Sequence, residues 1–358
     1  MTRPPRRSRP VAAVLVPLLA VVLALAGGRE TDGEAPLFFG GPASGPATAA
    51  RVPGRPVTVY PTGPRALFAV AGTVDDGTRI GVTTLIGRKS GFTGKVWVWA
   101  PPQYFEPRYA HSGFPVLVAL PGGHGYPVNY WRSPAIGLHS AISRWSREGK
   151  SLPFIVAMPV LNPDARHYYD GSDIPGRPRM GTWIAEDIPD FVRANFRTFA
   201  SRDGWAFMGS SSGGFVGLKS VLQHPDRFKA AIASGPDVVP DSPLWRGHEA
   251  ERRANDPGRL AAALVRRPDT PGNDVYLAFQ LGSRESGIGP SVRRFVRAHT
   301  GGPVKSRLQV IPGGGHNARS YLAGLGAGTL EWVSRRLQGP VADPVREPGV
   351  RRAAAVRR

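Results

Sequence analysis

Residues 205–214 read Trp-Ala-Phe-Met-Gly-Ser-Ser-Ser-Gly-Gly, and residues 215–222 continue as Phe-Val-Gly-Leu-Lys-Ser-Val-Leu. Four apolar residues run into a serine cluster bracketed by glycines, and a helical pattern begins directly after it. The stretch reads as strand, sharp turn, helix. Gly209, Ser211 and Gly213 supply the fixed points of Gly-x-Ser-x-Gly. In such an elbow the central serine sits on a strained turn with its oxygen exposed, and the glycines let strand and helix nearly touch. Ser211 is therefore the candidate nucleophile. A flexible Ser/Gly loop would need neither the strand before nor the helix after.

Outward from the elbow the strand signals are regular. Phe114–Leu120 and Phe154–Val160 are near-continuous apolar runs, as strands buried on both faces are. Thr78–Ile86 and Lys95–Trp99 alternate apolar and polar residues, as half-exposed antiparallel strands do. Trp205–Met208, Ala230–Ser234, Val275–Leu281 and Arg307–Ile311 complete eight predicted strands. Helical patterns separate most of them, including Trp183–Phe196, Leu218–Gln223 and a closing helix at Leu330–Leu337. Alternating strand and helix predicts an α/β fold, a mostly parallel eight-stranded sheet with helices on both faces. Two connections, Leu161–Thr182 and Gly235–Asn273, are long enough to serve as lids or binding loops.

The flanks read differently. Residues 1–27 combine an arginine-rich start with the apolar run 11–27 and a small-x-small site at Ala24-Leu25-Ala26, the pattern of a signal peptide or, if uncleaved, an N-terminal membrane anchor. Residues 28–56 are rich in Gly, Pro and Ala and read as a flexible linker. The catalytic domain is expected over residues 57–338, and 339–358 as a disordered basic tail. The protein is thus expected to be secreted or held at the cell envelope. Cysteine is absent, which excludes disulfides, thiol catalysis and cysteine-based zinc sites but not export. The net charge of +20 raises nucleic acid as a partner. The basic residues, mostly arginine, are scattered and form no stripe or known module, so no nucleic-acid partner is expected.

A serine hydroxyl becomes nucleophilic when a base takes its proton. His316 lies in Ile-Pro-Gly-Gly-Gly-His-Asn (311–317), the loop after the last strand, where the Ser…acid…His order of this architecture puts the base. The carboxylate that orients it is expected in the loop after the preceding strand, where Glu285 stands; Asp237, one strand earlier, is the alternative acid. An oxyanion hole needs two backbone donors. The N–H of Ser212, next after the nucleophile, is one. The loop Leu-Pro-Gly-Gly-His-Gly (120–125) supplies the other, the Gly123 amide with His124 as alternative, because Pro121 has no N–H. No group of His, Asp and Glu shows metal-ligand spacing, and no metal is expected.

Residues from about Thr78 to Leu337 resemble the Putative esterase family of α/β-hydrolases, which includes esterase D (S-formylglutathione hydrolase) and the secreted mycolyltransferase antigens of mycobacteria. The resemblance is carried by Val98-Trp99-Ala100-Pro101-Pro102, Leu120-Pro121-Gly122-Gly123, Trp183–Pro189, the elbow, His224-Pro225-Asp226-Arg227-Phe228 and Gly313–Asn317. It implies an α/β-hydrolase fold, Ser211 as nucleophile, His316 as base, an acid near Glu285 and no cofactor. The expected activity is that of a serine esterase or acyltransferase on small-molecule or lipid esters, with membrane or envelope association and oligomeric state left open. A serine peptidase on the same fold and a non-catalytic envelope-binding protein are the alternatives.

Overall fold

Among the described residues there are eleven strands: β1 Thr58–Val59, β2 Ala69–Thr73, β3 Arg79–Ile86, β4 Thr93–Trp99, β5 Val116–Leu120, β6 Ile155–Pro159, β7 Thr198–Phe199, β8 Trp205–Ser210, β9 Ala230–Ser234, β10 Val275–Gly282 and β11 Val304–Ile311. The computed structural model describes residues 37, 39, 56–268, 270 and 272–344. The signal or anchor expected at 1–27 and most of the linker and basic tail lie outside the described residues. Among the described residues no helix is long and apolar enough to cross a membrane.

Nine strands form one sheet in the order β11-β10-β9-β8-β5-β6-β4-β3-β2, and β1 pairs with β7 in a small antiparallel ribbon. The pairings from β6 through β5, β8, β9 and β10 to β11 are all parallel, and those among β6, β4, β3 and β2 are antiparallel. The sheet therefore has nine strands instead of the predicted eight. The additional one is the edge strand β2, with sequence Ala-Val-Ala-Gly-Thr. It is half-buried at most and its register slips between Val70 and Gly72. Small side chains and an irregular register leave little periodicity to read.

Every residue of β5, β6 and β9 is buried, which is why these strands carry no polar alternation. The helix Ser212–Gln223 leaves the elbow and packs on β8 and β9, burying all its residues except its first and last. The segment predicted as one helix from Trp183 is helical from Met180 to Asn195 with a π-type turn at Trp183–Asp187. Near the C-terminus, Ala318–Gly324 and Leu330–Ser334 flank a second π-type segment. The parallel strands β5, β8, β9, β10 and β11 all end on one side of the sheet, and the loops leaving them carry residues 122, 211, 235, 285 and 316.

Candidate active site

The elbow has the geometry its sequence calls for. Ser211 sits at φ 52°, ψ −125°, a left-handed conformation that a non-glycine residue rarely adopts. A Cβ on Gly209 would fall 2.3 Å from the Gly213 carbonyl oxygen, and one on Gly213 would fall 2.3 Å from that of Pro121. Glycine is required at both positions because strand, helix and the loop after β5 touch backbone to backbone. The Ser211 N–H donates to the Ser234 carbonyl at 2.8 Å, fastening the turn to β9.

His316 and Glu285 are brought together by adjacent parallel strands, with Gly282 at the end of β10 paired to Ile311 at the end of β11. The Nδ1 of His316 lies 2.6 Å from Glu285 Oε1. The Glu285 side chain is 3% exposed and that of His316 46%, so a buried carboxylate holds an imidazole that reaches solvent. Glu285 Oε2 accepts from the Gly282 N–H. With Nδ1 bound to the carboxylate, Nε2 is the nitrogen left free to act as a base. Ser211 and His316 face one cleft of about 490 Å³, together with Gly122, Gly123, Tyr130 and Tyr321. Among the described residues no hydrogen bond joins Ser211 Oγ to His316. In serine hydrolases that contact commonly tightens only with substrate bound.

Asp237, the alternative acid, makes no hydrogen bond to His316. Its charge is still felt there: burial raises the Asp237 carboxyl pKa, the imidazole opposes that rise, and Asp170 adds to it. Glu285, not Asp237, is the carboxylate bonded to the histidine.

The two segments that carry the expected oxyanion donors, at Ser212 and Gly123, are in contact. Ser212 is the first residue of its helix, so its N–H has no intrahelical acceptor and points from the positive end of the helix dipole. Its hydroxyl donates to the Gly123 carbonyl at 2.7 Å, tying the loop after β5 to the elbow. The Gly122 N–H donates to the Tyr130 hydroxyl at 2.9 Å, and that hydroxyl also bonds Ser210 Oγ. The Gly122 amide is therefore committed, and Gly123 is the next amide along the loop. His124, the alternative, stacks its ring on Tyr168 with centroids 4.4 Å apart.

Tyr130 and Tyr321 carry no signal in the sequence. Each sits in a mixed polar and apolar run that belongs to no motif, and burial raises the pKa of both phenols.

A mostly parallel sheet whose strand ends carry a Gly-x-Ser-x-Gly turn, a glutamate loop and a histidine loop is the architecture of an α/β-hydrolase. Residues 93–300 match the model of the family described as "Putative esterase", and the chain belongs to that family. It is 28% identical over 145 residues to the MPT51 antigen of Mycobacterium leprae, covering 39% of this chain and 44% of that protein. The chain spans less than two thirds of the length of the curated relatives it matches. Among solved structures, a ferulic acid esterase superposes with TM-score 0.58 at 17% identity, covering 73% of this chain and 99% of that one. An S-formylglutathione hydrolase from Agrobacterium tumefaciens gives TM-score 0.57 at 19% identity, with 75% and 99% covered.

Proposed function

We propose that this protein is a serine hydrolase of carboxylic esters working through an acyl-enzyme. The observation that carries the proposal is the placement of Ser211, in its left-handed turn, in the same cleft as an imidazole held by a buried carboxylate. In the first step Ser211 Oγ attacks the ester carbonyl carbon while His316 Nε2 takes the hydroxyl proton. Glu285 keeps the imidazole oriented and steadies its positive charge. The tetrahedral oxyanion lies against the N–H groups of Ser212 and Gly123. Collapse breaks the bond to the alcohol, which leaves with the proton from His316. Water then attacks the acyl-Ser211, His316 again shuttles the proton, and the carboxylic acid departs. No metal or cofactor enters the scheme.

A second alcohol in place of water would give acyl transfer by the same steps. The proposal extends to lipid or glycolipid esters outside the cytoplasm, because residues 1–27 carry the export pattern. Ser211→Ala is expected to abolish hydrolysis of a short p-nitrophenyl ester while leaving the thermal transition in place. A fluorophosphonate probe is expected to label the wild-type chain at Ser211 alone. Undiminished turnover in the variant, or labelling elsewhere, would reject the assignment. N-terminal sequencing of protein recovered outside producing cells should find the chain starting after Ala26. A start at Met1 in the membrane fraction would replace secretion by anchoring.

A further inference from the structure

The Tyr321 hydroxyl, five residues after the histidine on the helix Ala318–Gly324, belongs to the same hydrogen-bonded node as the acid and the base. It donates to Glu285 Oε1 at 2.6 Å and lies 2.8 Å from His316 Nδ1. Tyr321 is 1% exposed. Gly235, at φ 52° after β9, backs onto this node. A Cβ there would come within 2.1 Å of the Tyr321 hydroxyl, 2.5 Å of Glu285 Oε1 and 2.9 Å of His316 Nδ1. Four elements thus leave one small space into which a phenol, a carboxylate and an imidazole fit together.

We propose that Tyr321 is a positioning residue that sets the base strength of His316 through Glu285, an inference that rests on the Ser211–His316–Glu285 reading. Oε1 takes two donors, the phenol O–H and the imidazole N–H, while Oε2 takes the Gly282 N–H. A carboxylate whose charge is shared among three donors attracts the imidazolium proton less than one with two donors. The phenol therefore fixes the rotamer of Glu285 and moderates its hold on His316. Burial raises the pKa of the phenol and the bond to Glu285 raises it further, so it stays an O–H donor through the neutral range. Other ionisable groups face the node. Asp237 comes from the loop after β9, Tyr130 from across the cleft, and Arg293, Arg294 and Arg297 from the helix Gly289–His299, which shares a pocket with Glu285. None of these is bonded to Glu285 Oε1 among the described residues.

Tyr321→Phe keeps the ring and removes one donor. Loss of a hydrogen bond to a charged group predicts a fall of about ten-fold in kcat with little change in KM. The acid limb of the kcat/KM profile should move to higher pH by roughly half a unit to one unit, because the remaining carboxylate is the stronger partner of the imidazolium. Gly235→Ala should do greater harm, since its Cβ strikes all three atoms. A Tyr321→Phe profile superimposable on wild type, or a limb moved to lower pH, would overturn the proposal. Fluorophosphonate labelling of Ser211 separates this failure from failure of the parent reading: labelling at Ser211 with an unmoved profile rejects only the role of Tyr321, whereas no labelling in wild type rejects the active site itself.

Discussion

At the scale of single residues, Ser211 holds a strained backbone conformation. A serine at φ 52°, ψ −125° costs on the order of 1–3 kcal/mol over a relaxed conformation. Alanine in its place inherits that cost. Glycine sheds it, against a backbone-entropy loss of about 1 kcal/mol. Both variants should be inactive, but Ser211→Gly should melt higher than Ser211→Ala, by an amount corresponding to about 1 kcal/mol. Calorimetry of the two checks this, and identical transitions would mean the elbow holds no strain. The same residue shows what the sequence can disclose. Ser211, Glu285 and His316 were legible because each follows a recognisable strand in a glycine-marked loop. Tyr321 and Tyr130 were not, because a tyrosine outside any motif shows no role until its hydroxyl has a partner in space.

Among elements, the helix Ser212–Gln223 holds the two long loops to the elbow by one buried lysine. Lys219 Nζ lies 2.7 Å from the carbonyl oxygens of Asp170 and Gly171, bonds Ser172 Oγ, and reaches Asn255 Oδ1 at 3.3 Å. Asp170 in turn accepts from the Trp245 indole at 2.6 Å and the Ser242 N–H at 3.2 Å. The connections 161–182 and 235–273 thus meet on this helix; the lysine joining them was hidden, since one charge in a helix reads as a solvated face. Lys219→Met leaves the buried Gly171 carbonyl without its donor, while the Asp170 carbonyl keeps the Ser172 hydroxyl, and should cost about 1–3 kcal/mol of stability. The pH dependence has a definite sign. Burial pulls the lysine pKa down to about 7, from an ordinary value near ~10.4. Between those values the unfolded chain holds a proton that the folded chain has released, so stability rises with pH across the window and falls as pH drops toward the lower value. Denaturant titrations at several pH values check this: wild type should show the slope more strongly than Lys219→Met, and equal slopes would refute the assignment.

For the whole molecule, what lies outside the sheet matters as much as the sheet. Alternating strands and helices made the fold class legible, since parallel strands must be apolar on both faces. The limits of the packed unit were obscured by composition. Residues 28–56 have the look of a spacer, yet Leu37 donates its N–H to the Phe68 carbonyl at 2.9 Å. Phe39, 4% exposed, sets its ring 5.1 Å from that of Phe68 and 5.3 Å from that of Phe196. Leu37-Phe38-Phe39 is too short a run within a Gly/Pro-rich stretch for a periodicity to announce it; the pocket of Phe39 is built by Phe68, Phe196 and the bare face of Gly81, where a Cβ would lie 2.6 Å from the Phe39 ring. At the other end, Val341 donates to Ser112 Oγ at 2.9 Å, and Asp343 donates its N–H to the Arg108 carbonyl at 2.7 Å and pairs its carboxylate with His111 Nδ1 at 2.8 Å. These contacts join residues 37, 39, 341 and 343 to the packed unit. Filling an aromatic pocket from a segment that also pairs by its backbone should contribute core-like energy, so Phe39→Ala is expected to lose about 3–5 kcal/mol. The surface pair of Asp343 with His111 should contribute about 1 kcal/mol or less. A chain spanning residues 36–344 should therefore melt with the full-length protein. One spanning 56–344 should melt well below it, and one spanning 36–338 only slightly below. Equal melting of the first two would show that Phe39 fills its pocket without holding the fold.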